Sequence, residues 1–210
     1  MQPRAATWPI RLHEAADEVF WAARLNLLWL LGTLAGGVLL GIGPATLAAV
    51  TLARRHALGE TFPALPAFAA AARREFVRGS VLVLPLAGAA TLLIVNYRFF
   101  VALGPTAALP RLVTLAALAV LVVVAAFLLP MAVHYELRPG AYLPKASLFA
   151  LTRPAPSVLL LLVAATVGYA CRTYPFLVVA IAAGGWIQLD TWLCLRFFAE
   201  NEARLRGEKP

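Results

Sequence analysis

LNLLWLLGTLAGGVLLGIGPATLAAVTLA, residues 25–53, is the stretch whose reading decides the fold: 29 consecutive residues without a charge. As one helix at 1.5 Å per residue it would be about 43 Å long, more than the roughly 30 Å hydrocarbon core of a bilayer requires. A break is expected, and Gly41-Ile42-Gly43-Pro44 is the place that offers one. Glycine accepts turn dihedrals, and proline, lacking an amide hydrogen, sits well in the first turn of a new helix. The run therefore reads either as a hairpin with arms at 25–40 and 44–58, its second arm short enough to be re-entrant, or as a single long crossing.

The rest of the chain extends this reading. Of its 210 residues 62% are hydrophobic and 13% charged, and the mean hydropathy is +0.82. Soluble domains are about 45–50% apolar and about 25% charged, so a large soluble domain is excluded. Further apolar runs cover 79–97, 112–133, 157–171 and 174–198. The expected fold is all-α: a polytopic membrane helix bundle of five to six spans over 25–198, preceded by an amphipathic segment (1–24) and followed by a cytoplasmic tail (199–210). In the first segment Trp8, Leu12, Ala15, Ala16, Val19, Phe20 and Ala23 recur at helical spacing behind a Thr7-Trp8-Pro9 start. Two amphipathic stretches, 65–78 and 143–153, predict surface helices. They resemble each other at an offset of 78 residues, Leu65-Pro66 against Leu143-Pro144, which suggests a tandem parallel repeat of the kind some transporters carry.

Charge sets the topology. The net charge is +8, and Lys145 and Lys209 are the only lysines among 18 basic residues. A single crossing by 25–53 would put 12 basic residues on one side and 6 on the other, whereas a hairpin puts 15 on one side and 3 on the other. Cytoplasmic loops collect Lys and Arg, so the sharper split favours the hairpin and places both termini in the cytoplasm. Short basic segments between apolar runs fit anionic lipid at the cytoplasmic face. They do not fit a nucleic-acid surface, which clusters its charge on a soluble face.

Few residues carry chemistry. Asp190, inside the last apolar run and six residues before Arg196, reads either as part of a substrate, ion or proton path or as a structural acid that pairs with an arginine or caps backbone amides. His134 and Glu136 bracket Tyr135 where a span meets the cytoplasm. The histidines, at 13, 56 and 134, give no metal-ligand spacing. Asn26 and Asn96 lie near span ends, where amides make interhelical hydrogen bonds. If the arm after Gly43-Pro44 starts inside the membrane, free amides at Ala45 and Thr46 would offer an anion a positive helix end. Gly32/Gly36 and Gly37/Gly41 permit close helix approach. Cys171 and Cys194 form no disulfide framework. No HExxH, GxSxG or phosphate-loop motif occurs, and Ser80, Ser147 and Ser157 have no neighbouring base, so neither an enzyme nor a cofactor is expected.

Leu25-Asn26-Leu27-Leu28-Trp29-Leu30-Leu31 with Ile42-Gly43-Pro44-Ala45-Thr46 resembles the opening of the YesL-like family of small bacterial membrane proteins. Asn96-Tyr97-Arg98-Phe99 is similar to the aromatic end of that family's next span. Pro130 with His134-Tyr135-Glu136 and residues 146–152 is similar to its second cytoplasmic stretch, and Trp186-Ile187-Gln188-Leu189-Asp190-Thr191-Trp192 with Arg196-Phe197 to its last span. The resemblance covers nearly the whole chain after residue 20. It departs at the Ala-rich 67–74, where the family carries bulkier aromatic and basic residues. It implies association with carbohydrate uptake and degradation systems, especially ABC-type sugar importers, and hence an accessory or regulatory membrane protein binding such a complex. The alternative is a small secondary transporter or channel with a path near Asp190 and the Gly41–Pro44 break.

Overall fold

The computed structural model describes residues 7–135 and 139–205. They form α1 (Thr7–Ala35), α2 (Leu39–Ala57), α3 (Ala64–Arg74), α4 (Phe76–Ala102), a 3-10 turn (Gly104–Ala107), α5 (Ala108–His134), α6 (Tyr142–Thr152), α7 (Pro154–Thr173), a π-helical turn (Val178–Ala182) and α8 (Ala183–Leu205). Four stretches are long and apolar enough to cross a membrane: Phe76–Ala102, Gly104–His134, Pro154–Thr173 and Val178–Glu200. In lipid every backbone polar group must be satisfied within the protein, which selects helices for such runs. Leu92, Val95, Val113, Leu162 and Val179 on these stretches point outward and are more than half or nearly half exposed, as lipid-facing side chains are.

The first hairpin exists, but its break is not at Gly41–Pro44. The chain turns at Gly37 and Val38, both with positive φ (65° and 67°), and Val38 N–H bonds to the Thr33 carbonyl at 2.9 Å. Gly41, Gly43 and Pro44 lie inside α2. Proline there removes one ladder bond, yet α2 continues, held across the hairpin by the Thr46 hydroxyl. That hydroxyl accepts from Trp29 Nε1 at 3.0 Å and donates to the Ile42 carbonyl at 2.6 Å. The amides of Ala45 and Thr46 are therefore interior to a helix, and no free helix end for an anion exists at this point. Glycine is required here for another reason: a Cβ on Gly43 would stand 2.7 Å from the Gly79 backbone of α4, and the reverse holds for Gly79. The amphipathic segment and the first apolar arm are one continuous helix, α1, because Arg24 is exposed on its surface and needs no break.

Three helices form the middle of the bundle. α2, α5 and α8 each contact the other two, and an outer helix lies across each gap: α4 against α2 and α5, α7 against α5 and α8, α1 against α8 and α2. Two buried cores result. One joins α5, α6, α7 and α8 around Phe127, Met131, Tyr142, Leu160, Cys194 and Phe198. The other joins α1, α2, α3 and α8 around Leu25, Leu28, Val50, Leu52, Phe68 and Ile187. The eleven-residue surface helices α3 and α6 follow α2 and α5, and both boundaries of α3 recur 78 residues later in α6.

Candidate functional site at the seam of the hairpins

α3 and α4 meet at a single residue, Glu75, which is 8% exposed. A carboxylate can be buried there only if paired, and two arginines pair with it: Arg74 Nε donates to Oε1 at 3.1 Å and Arg78 Nη1 to Oε2 at 3.4 Å. Arg78 also reaches into the next hairpin. Its Nη2 donates to the Ala132 carbonyl and to the Tyr142 hydroxyl, and its guanidinium lies 5.1 Å from the Tyr142 ring centre. Ala132 is two residues from the end of α5, so its carbonyl has no partner in the helix ladder, and Arg78 supplies one. The fully buried Tyr142 donates in turn to the Tyr135 carbonyl at 3.0 Å. One arginine thus ties the α3–α4 joint to both the end of α5 and the start of α6, and brings the two surface helices to the same end of the molecule. Beside this network lies a cleft of about 280 Å³ lined by Thr51, Arg74, Glu75, Arg78, Val133 and Tyr135.

His134 and Tyr135 extend the seam to α8. The Tyr135 hydroxyl donates to Glu202 Oε1 at 2.7 Å, and His134 Nε2 lies 3.7 Å from the same oxygen. The His134 ring stacks on Phe198. Burial, reinforced by the Glu202 carboxylate, holds the Tyr135 phenol above its ordinary range. Among the described residues, two buried nitrogens here have no hydrogen-bond partner, Arg54 Nε and His134 Nδ1. Glu136 lies outside the described residues.

The remaining sequence candidates scatter. Asp190 is buried between the two cores, 3% exposed, and its carboxylate accepts from Cys194 Sγ at 3.8 Å. Among the described residues no cationic nitrogen comes within salt-bridge distance of it. Arg196 is exposed and stacks over Trp192 at 4.1 Å. Asn26 is fully buried and inserts its amide into the π turn: Nδ2 donates to the Val179 carbonyl at 2.6 Å, and Oδ1 accepts from the Gly184 N–H at 3.0 Å. A Cβ on Gly184 would run into the Ala22 carbonyl, so only glycine lets α1 approach this closely. Asn96, by contrast, is exposed on α4.

The sequence reading missed Glu75, Tyr142, Arg54 and Glu202. A signal for the first was present: Glu75 is the lone acid between Arg73, Arg74 and Arg78. It also missed a groove of about 610 Å³ between α1, α2 and α8, where Glu18 accepts from Gln188 and lies 3.3 Å from His56. Among the described residues no group of three or more His, Cys, Asp or Glu is arranged to hold a metal ion.

Residues 22–97, from the middle of α1 to α4, match the family described as "Protein of unknown function, DUF624". Two proteins of Bacillus subtilis (strain 168) are similar over more of the chain. "Uncharacterized protein YesV" is 30% identical over 196 residues, 92% of this chain and 94% of that protein. "Uncharacterized protein YesL" is 31% identical over 166 residues, 79% of this chain and 73% of its own length. No solved structure matches. The likeness to YesV runs through nearly every helix described above, seam included, and with it the chain belongs to the YesL-like, DUF624 family of membrane proteins.

Proposed function

We propose that this protein is an integral membrane accessory protein of the bacterial cytoplasmic membrane that docks a partner membrane complex on the end of the bundle carrying α3 and α6. The observation that supports this is their convergence. Held together by Arg78, they present exposed Arg73 and Leu65 on one side and exposed Lys145, Leu148 and Leu151 on the other. A mixed basic and apolar surface of this kind suits a partner with acidic and apolar contact points. The excess of basic residues on this end favours a cytoplasmic placement with both termini on the same side, the α1–α2 hairpin entering and returning. The partner class, an ABC-type carbohydrate importer, comes from the family resemblance. In this reading α2–α3–α4 and α5–α6–α7 are two copies of one unit.

The test is co-purification of the tagged protein with importer subunits in mild detergent, alongside sugar uptake in a deletion strain. Stoichiometric recovery that is lost in Arg73→Glu/Lys145→Glu, with slowed uptake on deletion, supports docking at this end. No stoichiometric importer subunit and an unchanged uptake rate would sink it. The second reading, a small carrier, is favoured by one observation: Asp190 is an acid that, among the described residues, has no cationic partner between the two cores. Liposomes showing flux that Asp190→Asn abolishes would support it, and no flux with the wild type would end it.

A further inference from the structure

We propose that the seam cleft between α2, the α3–α4 joint and α5 is a binding site for a small oxyanion of the phosphate class. The charged groups that line it are Arg74 from α3 and Arg78 from α4, against the buried Glu75 at the joint; Arg54 of α2 and Glu202 of α8 lie near His134, beside the lining residues Val133 and Tyr135. Two guanidiniums therefore line the cleft against one carboxylate. Glu202 is engaged at the far side by the Tyr135 hydroxyl, which leaves Glu75 alone among the arginines.

The donors are distributed as an anion requires. Glu75 takes only Nε from Arg74, so the two terminal amino groups of Arg74 remain as a fork, the geometry that matches a phosphate or carboxylate edge. Arg74 is 73% exposed and forms the accessible rim, while Arg78, held by Glu75, the Ala132 carbonyl and Tyr142, is fixed in the wall. Next to lining residues in the chain, two more nitrogens are buried without a partner among the described residues: Arg54 Nε, one turn after Thr51, and His134 Nδ1, beside Val133 and Tyr135. The Arg54 Nε–H is a buried donor without a partner, and beside an excess of guanidinium it marks a place suited to an anion. At about 280 Å³ the cleft admits a phosphate group with its bound water but not a nucleotide.

The phosphate can arrive free from the cytoplasm or on a lipid headgroup, and both share the same chemistry. The full-length protein is placed in nanodiscs of phosphatidylcholine alone and titrated with inorganic phosphate by calorimetry, with chloride at matched ionic strength as reference. Saturable binding that weakens about tenfold in Arg74→Gln, the loss of one charge-assisted hydrogen bond, and is unchanged in Arg98→Gln, establishes the site with a free anion. If phosphate gives no heat, nanodiscs containing phosphatidic acid are compared by thermal unfolding. A stabilisation that Arg74→Gln removes and Arg98→Gln keeps establishes it with a headgroup. Responses equal in Arg74→Gln and wild type in both arms, or equal in phosphate and chloride without lipid dependence, overturn the proposal. The exposed Arg74 is replaced in preference to Arg78, so that loss of binding is not loss of the fold.

Discussion

Asn26→Ala separates a tertiary latch from an ordinary polar residue near a span end. The Asn26 amide stands where one backbone hydrogen bond of the π turn would otherwise run, taking the Gly184 N–H on its oxygen and giving its own N–H to the Val179 carbonyl. Alanine removes both bonds and orphans two backbone groups in a buried contact. Each such group costs about 1–3 kcal/mol when unsatisfied, although interhelical hydrogen bonds in membrane proteins average nearer 0.6 kcal/mol because the unfolded state finds other partners. The expected loss is about 2–4 kcal/mol. Tightening of the π turn into α geometry would re-pair the two groups, but it would rotate the preceding residues against α1, whose Ala22 and Asn26 backbone touches Gly184. The assay is reversible unfolding in mixed detergent micelles followed by circular dichroism, with Asn96→Ala as the partner variant. Exposed Asn96 should cost no more than about 0.5 kcal/mol. Gly184→Ala attacks the same contact from α8, so the double variant with Asn26→Ala should lose less than the sum of the singles. Equal stabilities for Asn26→Ala and Asn96→Ala, or strict additivity of Asn26→Ala and Gly184→Ala, would refute the latch.

Gly43→Ala should destabilise by about 2 kcal/mol or more, since its Cβ would sit 2.7 Å from the Gly79 backbone and the crossing of α2 and α4 must open. Gly88→Ala, with nothing within 4 Å, should instead gain up to about 1 kcal/mol of helix propensity, and the same unfolding assay ranks the two. Tyr135 supplies a pH dependence. Its phenol is held above the ordinary value of 10.0, burial being the larger cause, so the folded chain keeps a proton that the unfolded chain releases. Its contribution to stability is then intact below about pH 10 and falls as pH rises further. Stability measured against pH should show this alkaline decline in the wild type and less of it in Tyr135→Phe, and identical limbs would count against the burial argument.

Much of the helix pattern was legible because each span needs an uninterrupted apolar run and each surface helix a proline-marked start. Surface helices expected at 65–78 and 143–153 are found at Ala64–Arg74 and Tyr142–Thr152. The hairpin turn was not legible. Gly41-Ile42-Gly43-Pro44 carries the residues of a break, yet its glycines answer to the backbones of Thr33 and Gly79, and the turn falls on Val38, a β-branched residue at positive φ that no local rule selects. Asp190 and Arg196 do not meet, because residues six apart on a helix point about 120° away from each other. Arg196 shares a face with Trp192, four residues before it, and stacks there. Asn26 and Asn96 look equivalent in sequence because burial of an amide is decided by which helix comes to lie over it.

The proposed duplication accounts for how the two halves of the bundle differ as well as for what they share. The end of α2 carries His56 beside Glu18 of α1, and 78 residues on the end of α5 carries His134 beside Glu202 of α8, so the first and last helices are each clasped to an equivalent helix end by a histidine and a glutamate. The glycine crossing is not repeated. The positions matching Gly43 and Gly79 hold Leu121 and Ser157, and Ser157 spends its hydroxyl on the Ala150 and Arg153 carbonyls at the α6–α7 junction. With side chains in place of two hydrogens, α5 and α7 cannot meet backbone to backbone as α2 and α4 do. The joint residue changes as well: Arg153 stands where Glu75 stands in the first unit. A carboxylate that gathers arginines is therefore present at one joint and replaced by a cation at the other, which is why the polar cleft forms on the α3–α4 side and takes its remaining wall from α5.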